Sequence, residues 1–137
     1  MSAATAFALA SALHAGFQIT VTTLVYPVLA TRSGAEWPVA HARHTRAITP
    51  MVGIVYGALV ITGVPLVVSG PGPADWVALT GAAVALALTA TVAAPLHGRL
   101  RERDDPRVVR LLTVDRWRCL AAVTGSVAAV VSLAVAG

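Results

Sequence analysis

The sequence predicts an all-α integral membrane protein, a four-helix up-and-down bundle with both termini outside and its arginine-bearing connections in the cytoplasm. Three observations predict it. Over 137 residues the composition is 57% hydrophobic and 12% charged, with a mean hydropathy of +0.78, too apolar for a soluble domain of this size. Four segments approach the roughly 20 apolar residues that a helix needs to cross the hydrocarbon. All ten basic residues are arginine, and they gather in or beside alternate connections between those segments.

The first span covers about residues 4–29. Its apolar stretch has no Lys or Arg before it, which favours a retained first helix over a cleaved signal peptide. Arg32, Arg43 and Arg46 follow. Within this connection Glu36-Trp37-Pro38 reads as a helix start, with proline in the first turn where its missing N–H does no harm. A short amphipathic helix over about 37–47 then leads into the second span, about 48–68, with Pro50 expected to kink it. Gly70-Pro71-Gly72-Pro73 makes a tight turn into the third span, about 76–96. The next connection carries Arg99, Arg101, Arg103, Arg107 and Arg110, interrupted by Glu102, Asp104 and Asp105. It leads into a fourth span over about 115–136, which Arg116 and Arg118 open.

In an up-and-down bundle both arginine connections share one face, and the positive-inside rule puts that face in the cytoplasm. Residues 1–137 are thus expected to form a single domain in the bacterial cytoplasmic membrane, with periplasmic or extracellular termini. Trp37, Trp76 and Trp117 fall near the expected interfaces, as belt residues do. The charge of +4 and pI near 10.6 do not indicate nucleic-acid binding, because the arginines lie between apolar spans. The lone Cys119 excludes an internal disulfide. The chain is also faintly doubled: Tyr26-Pro27 on span one and Ala94-Pro95 on span three are each followed by Leu, Arg and a polar connection.

Polar side chains within spans are costly and usually face the bundle interior. His14, Gln18, Thr22 and Tyr26 recur at steps of four and mark one inward face. His14 stands sixteen residues before Ala30, about 24 Å of helix from the cytoplasmic end. Two readings compete for it: a neutral imidazole that hydrogen-bonds Gln18 or a neighbouring helix, or with Gln18 the floor of a lipid-accessible pocket for an apolar ligand.

At the cytoplasmic mouth, His41 and His44 are three apart on one helix face, and His97 and Asp115 are expected at the same level. By ligand type this set suits zinc, iron or copper, against the alternative of a histidine-lined polar mouth without metal. Haem fits less well, since only His14 lies deep. Arg118 is three residues from Asp115, a spacing that allows an ion pair. It either snorkels to stabilise the helix end or clamps an anion or enolate. Tyr56, in the second span, either donates a hydrogen bond to a ligand or packs between helices.

Gly16-Phe17-Gln18, Tyr26-Pro27, Trp37, His41, His44 and Arg118 together resemble a group of small bacterial four-helix membrane proteins of unassigned function. The chain departs from their pattern at Asp115, where they have asparagine, at Arg116 for tryptophan and at Cys119 for threonine. More distantly, such proteins look like the anthrone oxygenase-like membrane family, whose members act on polyketide anthrones and need no obvious cofactor. That likeness rests on size and layout and transfers no catalytic residue.

The expectation is therefore a membrane-embedded oxidoreductase acting on a small lipophilic substrate. His14 and Gln18 orient the ligand, His41 and His44 supply base or metal-ligand chemistry, Arg118 stabilises negative charge, and Thr22, Tyr26 and Tyr56 line the substrate site. The expected partners are membrane lipid and a small lipophilic ligand, with a homo-oligomer left open. The alternative is a non-enzymatic membrane subunit or carrier whose polar residues serve helix packing or the passage of a proton or solute.

Overall fold

The computed structural model describes residues 1–100, 102 and 106–136; Arg101, Arg103, Asp104, Asp105 and Gly137 lie outside the described residues. Four helices, α1 (Ala3–Ala30), α2 (Trp37–Val68), α3 (Pro73–Arg99) and α4 (Arg107–Ala136), account for nearly all of it, and no strand occurs among the described residues. Each is long and apolar enough to cross a membrane. Large apolar side chains such as Leu9, Ile54, Ile61 and Val127 face outward, while Ser11, His14, Gln18, His41, Asp115 and Arg118 are buried. An apolar exterior around a polar interior suits lipid as the solvent.

Two helices are longer than the sequence predicts. The amphipathic segment and the second span are one unbroken helix of 32 residues that runs through Pro50 and Pro65. At 1.5 Å per residue it measures about 48 Å against roughly 30 Å of hydrocarbon, so its first turns extend past the apolar core. α4 begins at Arg107, two turns before the expected start. Gly70, with φ of +79°, makes the turn between α2 and α3, and the Gly72 N–H donates to Asp75 Oδ2 at 3.0 Å to start α3.

The doubling of the chain acquires a structural basis in α1 and α3. Each contains one π turn, Val21–Val25 and Thr89–Ala93, ending directly before Tyr26-Pro27 and Ala94-Pro95. The Tyr26 N–H reaches back five residues to Val21 O, and that of Ala94 to Thr89 O. A proline lacks the N–H for a regular helical bond and crowds the carbonyl four residues earlier. The wider turn relieves that crowding without ending the helix.

α3 and α4 make the closest seam. A Cβ added to Gly81 would stand 2.6 Å from Ala121 O, and one on Gly125 would stand 3.1 Å from Ala78 O. Small residues let membrane helices approach to backbone contact, where dispersion replaces the hydrophobic drive that lipid does not supply. The core divides into two apolar clusters. One centres on Phe7, Leu59, Leu66 and Ala78, toward the termini and the Gly-Pro turn; the other centres on Leu29, Trp37, Leu96 and Leu111, toward the arginine connections.

Trp37 corrects the belt expectation. It is 3% exposed and stacks on His41, whereas Trp76 and Trp117 are 51% and 59% exposed, as belt residues would be.

Candidate functional site

The site begins with the inward stripe of α1. Steps of four drift around a helix of 3.6 residues per turn, and the extra residue in the Val21–Val25 π turn offsets part of that drift. Gln18, Thr22 and Tyr26 therefore all find partners on other helices.

Asp115 is the partner of the first two. Its Oδ1 accepts from Gln18 Nε2 at 2.7 Å and from Arg118 Nη1 at 3.3 Å, and its Oδ2 accepts from Thr22 Oγ1 at 2.6 Å. Asp115 is 1% exposed and Arg118 4%. An ion pair this buried is costly unless its remaining valences are satisfied, and the two α1 side chains satisfy those of the carboxylate. The guanidinium is less complete: Arg118 Nε has no partner among the described residues.

A second chain starts one turn further along. The Tyr26 hydroxyl stands 2.8 Å from His97 Nε2, and His97 Nδ1 stands 3.1 Å from His41 Nε2. The His97 ring is nearly parallel to the rings of Tyr26 and His41, and the Trp37 ring is nearly parallel to that of His41. A neutral imidazole has one donor and one acceptor nitrogen, so the chain must be directional. If Tyr26 donates to His97, then His97 donates to His41; reversing one bond reverses the other. A chain bonded in this way can pass a proton between Tyr26 and His41 in either direction.

His44 faces the same place. Its ring lies 6.0 Å from that of Tyr26 and 5.9 Å from that of His97, centroid to centroid, and it makes no hydrogen bond among the described residues. Between these groups is a cavity of about 270 Å³ walled by Tyr26, His44, His97 and Arg118, with Phe17, Val21, Thr89 and Ala93 among its apolar and small lining residues. Residues of both π turns thus contribute to the wall.

Several expectations need correction. His14 does not bond Gln18, whose amide nitrogen is committed to Asp115; the imidazole packs against the Tyr56 ring at 5.0 Å, and its Nε2 has no partner among the described residues. His14, Gln18, Thr22 and Tyr56 are not among the cavity-lining residues. Tyr56 spends its hydroxyl on Ala85 O at 3.2 Å and Thr89 Oγ1 at 2.7 Å, which makes it a tie between α2 and α3.

The metal set is not assembled either. The Asp115 oxygens are occupied by Gln18, Thr22 and Arg118, and among the described residues no group of three or more His, Cys, Asp or Glu is placed to hold one ion. The site also includes residues that sequence reading did not assign to it: Phe17, Val21, Thr89, Ala93 and Gly98 on the wall. Outside the cavity, Ser11 extends the buried stripe one turn above His14. Ser11 was legible at a spacing of three from His14, whereas the apolar wall residues carry no local signal.

Comparison with protein-family models, with curated proteins and with solved structures gives no match, so the chemistry of the site rests on its own geometry.

Proposed function

We propose that the chain is a membrane-embedded enzyme that holds a small lipophilic substrate in the histidine-walled cavity and activates it by removing a proton. The observation that carries this reading is the convergence of three kinds of group on one partly open cavity. The His44 ring nitrogens have no hydrogen-bond partner among the described residues, the Tyr26–His97–His41 chain is hydrogen-bonded end to end, and Arg118 supplies a cation. His44 takes the proton from a C–H or O–H beside a carbonyl, and the electron pair left behind moves onto the carbonyl oxygen, where Arg118 stabilises it. Tyr26 orients that oxygen: with its own oxygen accepting from His97 Nε2, its O–H is free to donate to the substrate. In an oxygenase-like reaction dioxygen is then the oxidant that takes electrons from this anion.

Anthrone, a lipophilic carbon acid, serves as the probe. The protein in phosphatidylcholine nanodiscs should accelerate exchange of its methylene hydrogens with D2O, followed by NMR. His44→Ala should remove about 10²-fold or more of that acceleration, and Tyr26→Phe a smaller part. Absence of acceleration, or acceleration indifferent to His44→Ala, overturns the reading.

A second reading is favoured by one observation: apart from the Asp115–Arg118 pair, the hydrogen bonds between side chains at and around the site each join two helices. Gln18 and Thr22 tie α1 to α4, Tyr26–His97 ties α1 to α3, and His41–His97 and Tyr56–Thr89 tie α2 to α3. A non-enzymatic subunit would need no more than this. Passage of a solute across the bilayer fits less well, because the apolar cluster around Phe7 and Leu66 closes the other end of the bundle.

A further inference from the structure

His44 has cavities on both of its sides. Inward is the space shared with Tyr26, His97 and Arg118; outward is a larger, open groove of about 910 Å³ between the end of α1 and the start of α2. The floor of the groove is apolar: Leu24, Val28 and Val39 lie on it and are 61%, 55% and 74% exposed. Its rim carries the exposed cations Arg32 and Arg43. The one carboxylate on this rim, Glu36, turns its Oε2 to the Ser33 hydroxyl at 2.9 Å and closes the local turn.

Apolar surface beside exposed arginines at the end of a membrane helix is the setting for an amphiphile whose acidic group stays at the interface while its body lies in the acyl region. We propose that the groove between α1 and α2 is the lateral way into the cavity, and that it selects a lipophilic acid dissolved in the membrane. The acidic group is held by Arg32 and Arg43, and the apolar body reaches past the His44 ring. The substrate class is thereby narrowed from any small lipophile to one bearing an anionic group at the end remote from the reacting atom. The inference rests on the cavity being the reaction site, but the acid-binding step is measurable without turnover.

The test uses anthracene-2-carboxylate and its neutral counterpart 2-methylanthracene, with saturable binding followed by fluorescence in phosphatidylcholine nanodiscs. The wild-type protein should bind the carboxylate about tenfold or more tightly than the neutral probe. Arg32→Gln with Arg43→Gln should abolish that preference while leaving 2-methylanthracene affinity unchanged. Arg110→Gln, at an exposed arginine outside the groove, is the control for general surface charge and should preserve the preference. Equal affinity for the two probes overturns the proposal, as does an Arg110→Gln effect equal to that of the double variant. Nanodiscs containing phosphatidylglycerol decide the occupant: retained carboxylate binding supports a free acid, and its loss assigns the groove to phospholipid headgroups and overturns the access route. Anthrone exchange reads the cavity chemistry separately, so failure of either proposal is distinguishable from failure of the other.

Discussion

Gln18 on α1 and Asp115 on α4, 97 residues apart in sequence, meet at 2.7 Å in the middle of the bundle, with Arg118 on the same carboxylate oxygen at 3.3 Å. All three are buried. The carboxylate therefore has two jobs that sequence spacing alone would assign to separate residues: it neutralises the arginine on its own helix and anchors the neighbouring helix through Gln18 and Thr22.

The first prediction follows from this double role. Asp115→Ala leaves the Arg118 guanidinium buried and unpaired, which should cost about 3–5 kcal/mol and lower the melting temperature in detergent clearly. Adding Arg118→Leu removes the stranded charge and should recover much of the loss, since replacing a whole buried pair by apolar groups is often close to neutral. A double variant no more stable than Asp115→Ala would mean that the α1 contacts, and not the ion pair, dominate.

Gly81 gives the second. A Cβ there would meet Ala121 O at 2.6 Å, and the obstacle is backbone on an adjacent helix, so it cannot be moved by a rotamer change. Gly81→Ala should force α3 and α4 apart and cost about 1–3 kcal/mol by overpacking. Gly57→Ala is the matched control, because a Cβ at Gly57 meets nothing within 4 Å. Thermal melts of the two in the same detergent should separate; coincident melts would contradict the tight α3–α4 seam.

Much of this arrangement was legible. Four spans, the α1 stripe from His14 to Tyr26, and the Asp115–Arg118 spacing all follow from periodicity and hydropathy, which are local signals. The shared arginine side of the spans puts His97 and His41 at one level, and they are in contact at 3.1 Å. What escaped depends on how one helix is rotated against another. Spacing alone pairs Gln18 with His14 along α1, whereas its amide turns to α4; patterning puts Trp37 at the lipid interface, whereas it is buried beside His41. The π turns escaped for a different reason, since Pro27 and Pro95 signal only that the regular ladder is interrupted, and packing decides whether the helix kinks, stops or widens.

The third prediction concerns direction in the membrane. Arg32 follows α1, Arg43 and Arg46 lie in the early turns of α2, Arg99 ends α3, and Arg107 and Arg110 open α4, all toward one end of the bundle. The other end has Asp75 and no arginine. By the positive-inside rule both termini should be periplasmic. Alkaline phosphatase fused after the last residue should be active in a bacterial host, and a fluorescent cytoplasmic reporter at the same place should be dark. The reverse pattern would invert the bundle and put the histidine-walled cavity near the outer leaflet.

The last prediction concerns His14, which the sequence marks as the most unusual residue of the spans and which the structure separates from the cavity. It is 1% exposed, its ring packs 5.0 Å from that of Tyr56, and its Nε2 has no partner among the described residues. A buried polar atom without a partner lowers stability, whereas an apolar group of similar shape at the same place is near neutral or stabilising. His14→Phe keeps a planar ring against Tyr56 and removes the unpaired nitrogen, so it should melt at or above the wild-type temperature. His14→Ala removes the ring as well, leaves a void, and should melt lower by an amount corresponding to about 1–3 kcal/mol. Because the cavity wall is formed by Tyr26, His44, His97 and Arg118, both variants should accelerate anthrone exchange as the wild type does, per folded molecule. A His14→Phe protein that is fully folded yet inactive would show that the imidazole takes part in the chemistry from behind the wall.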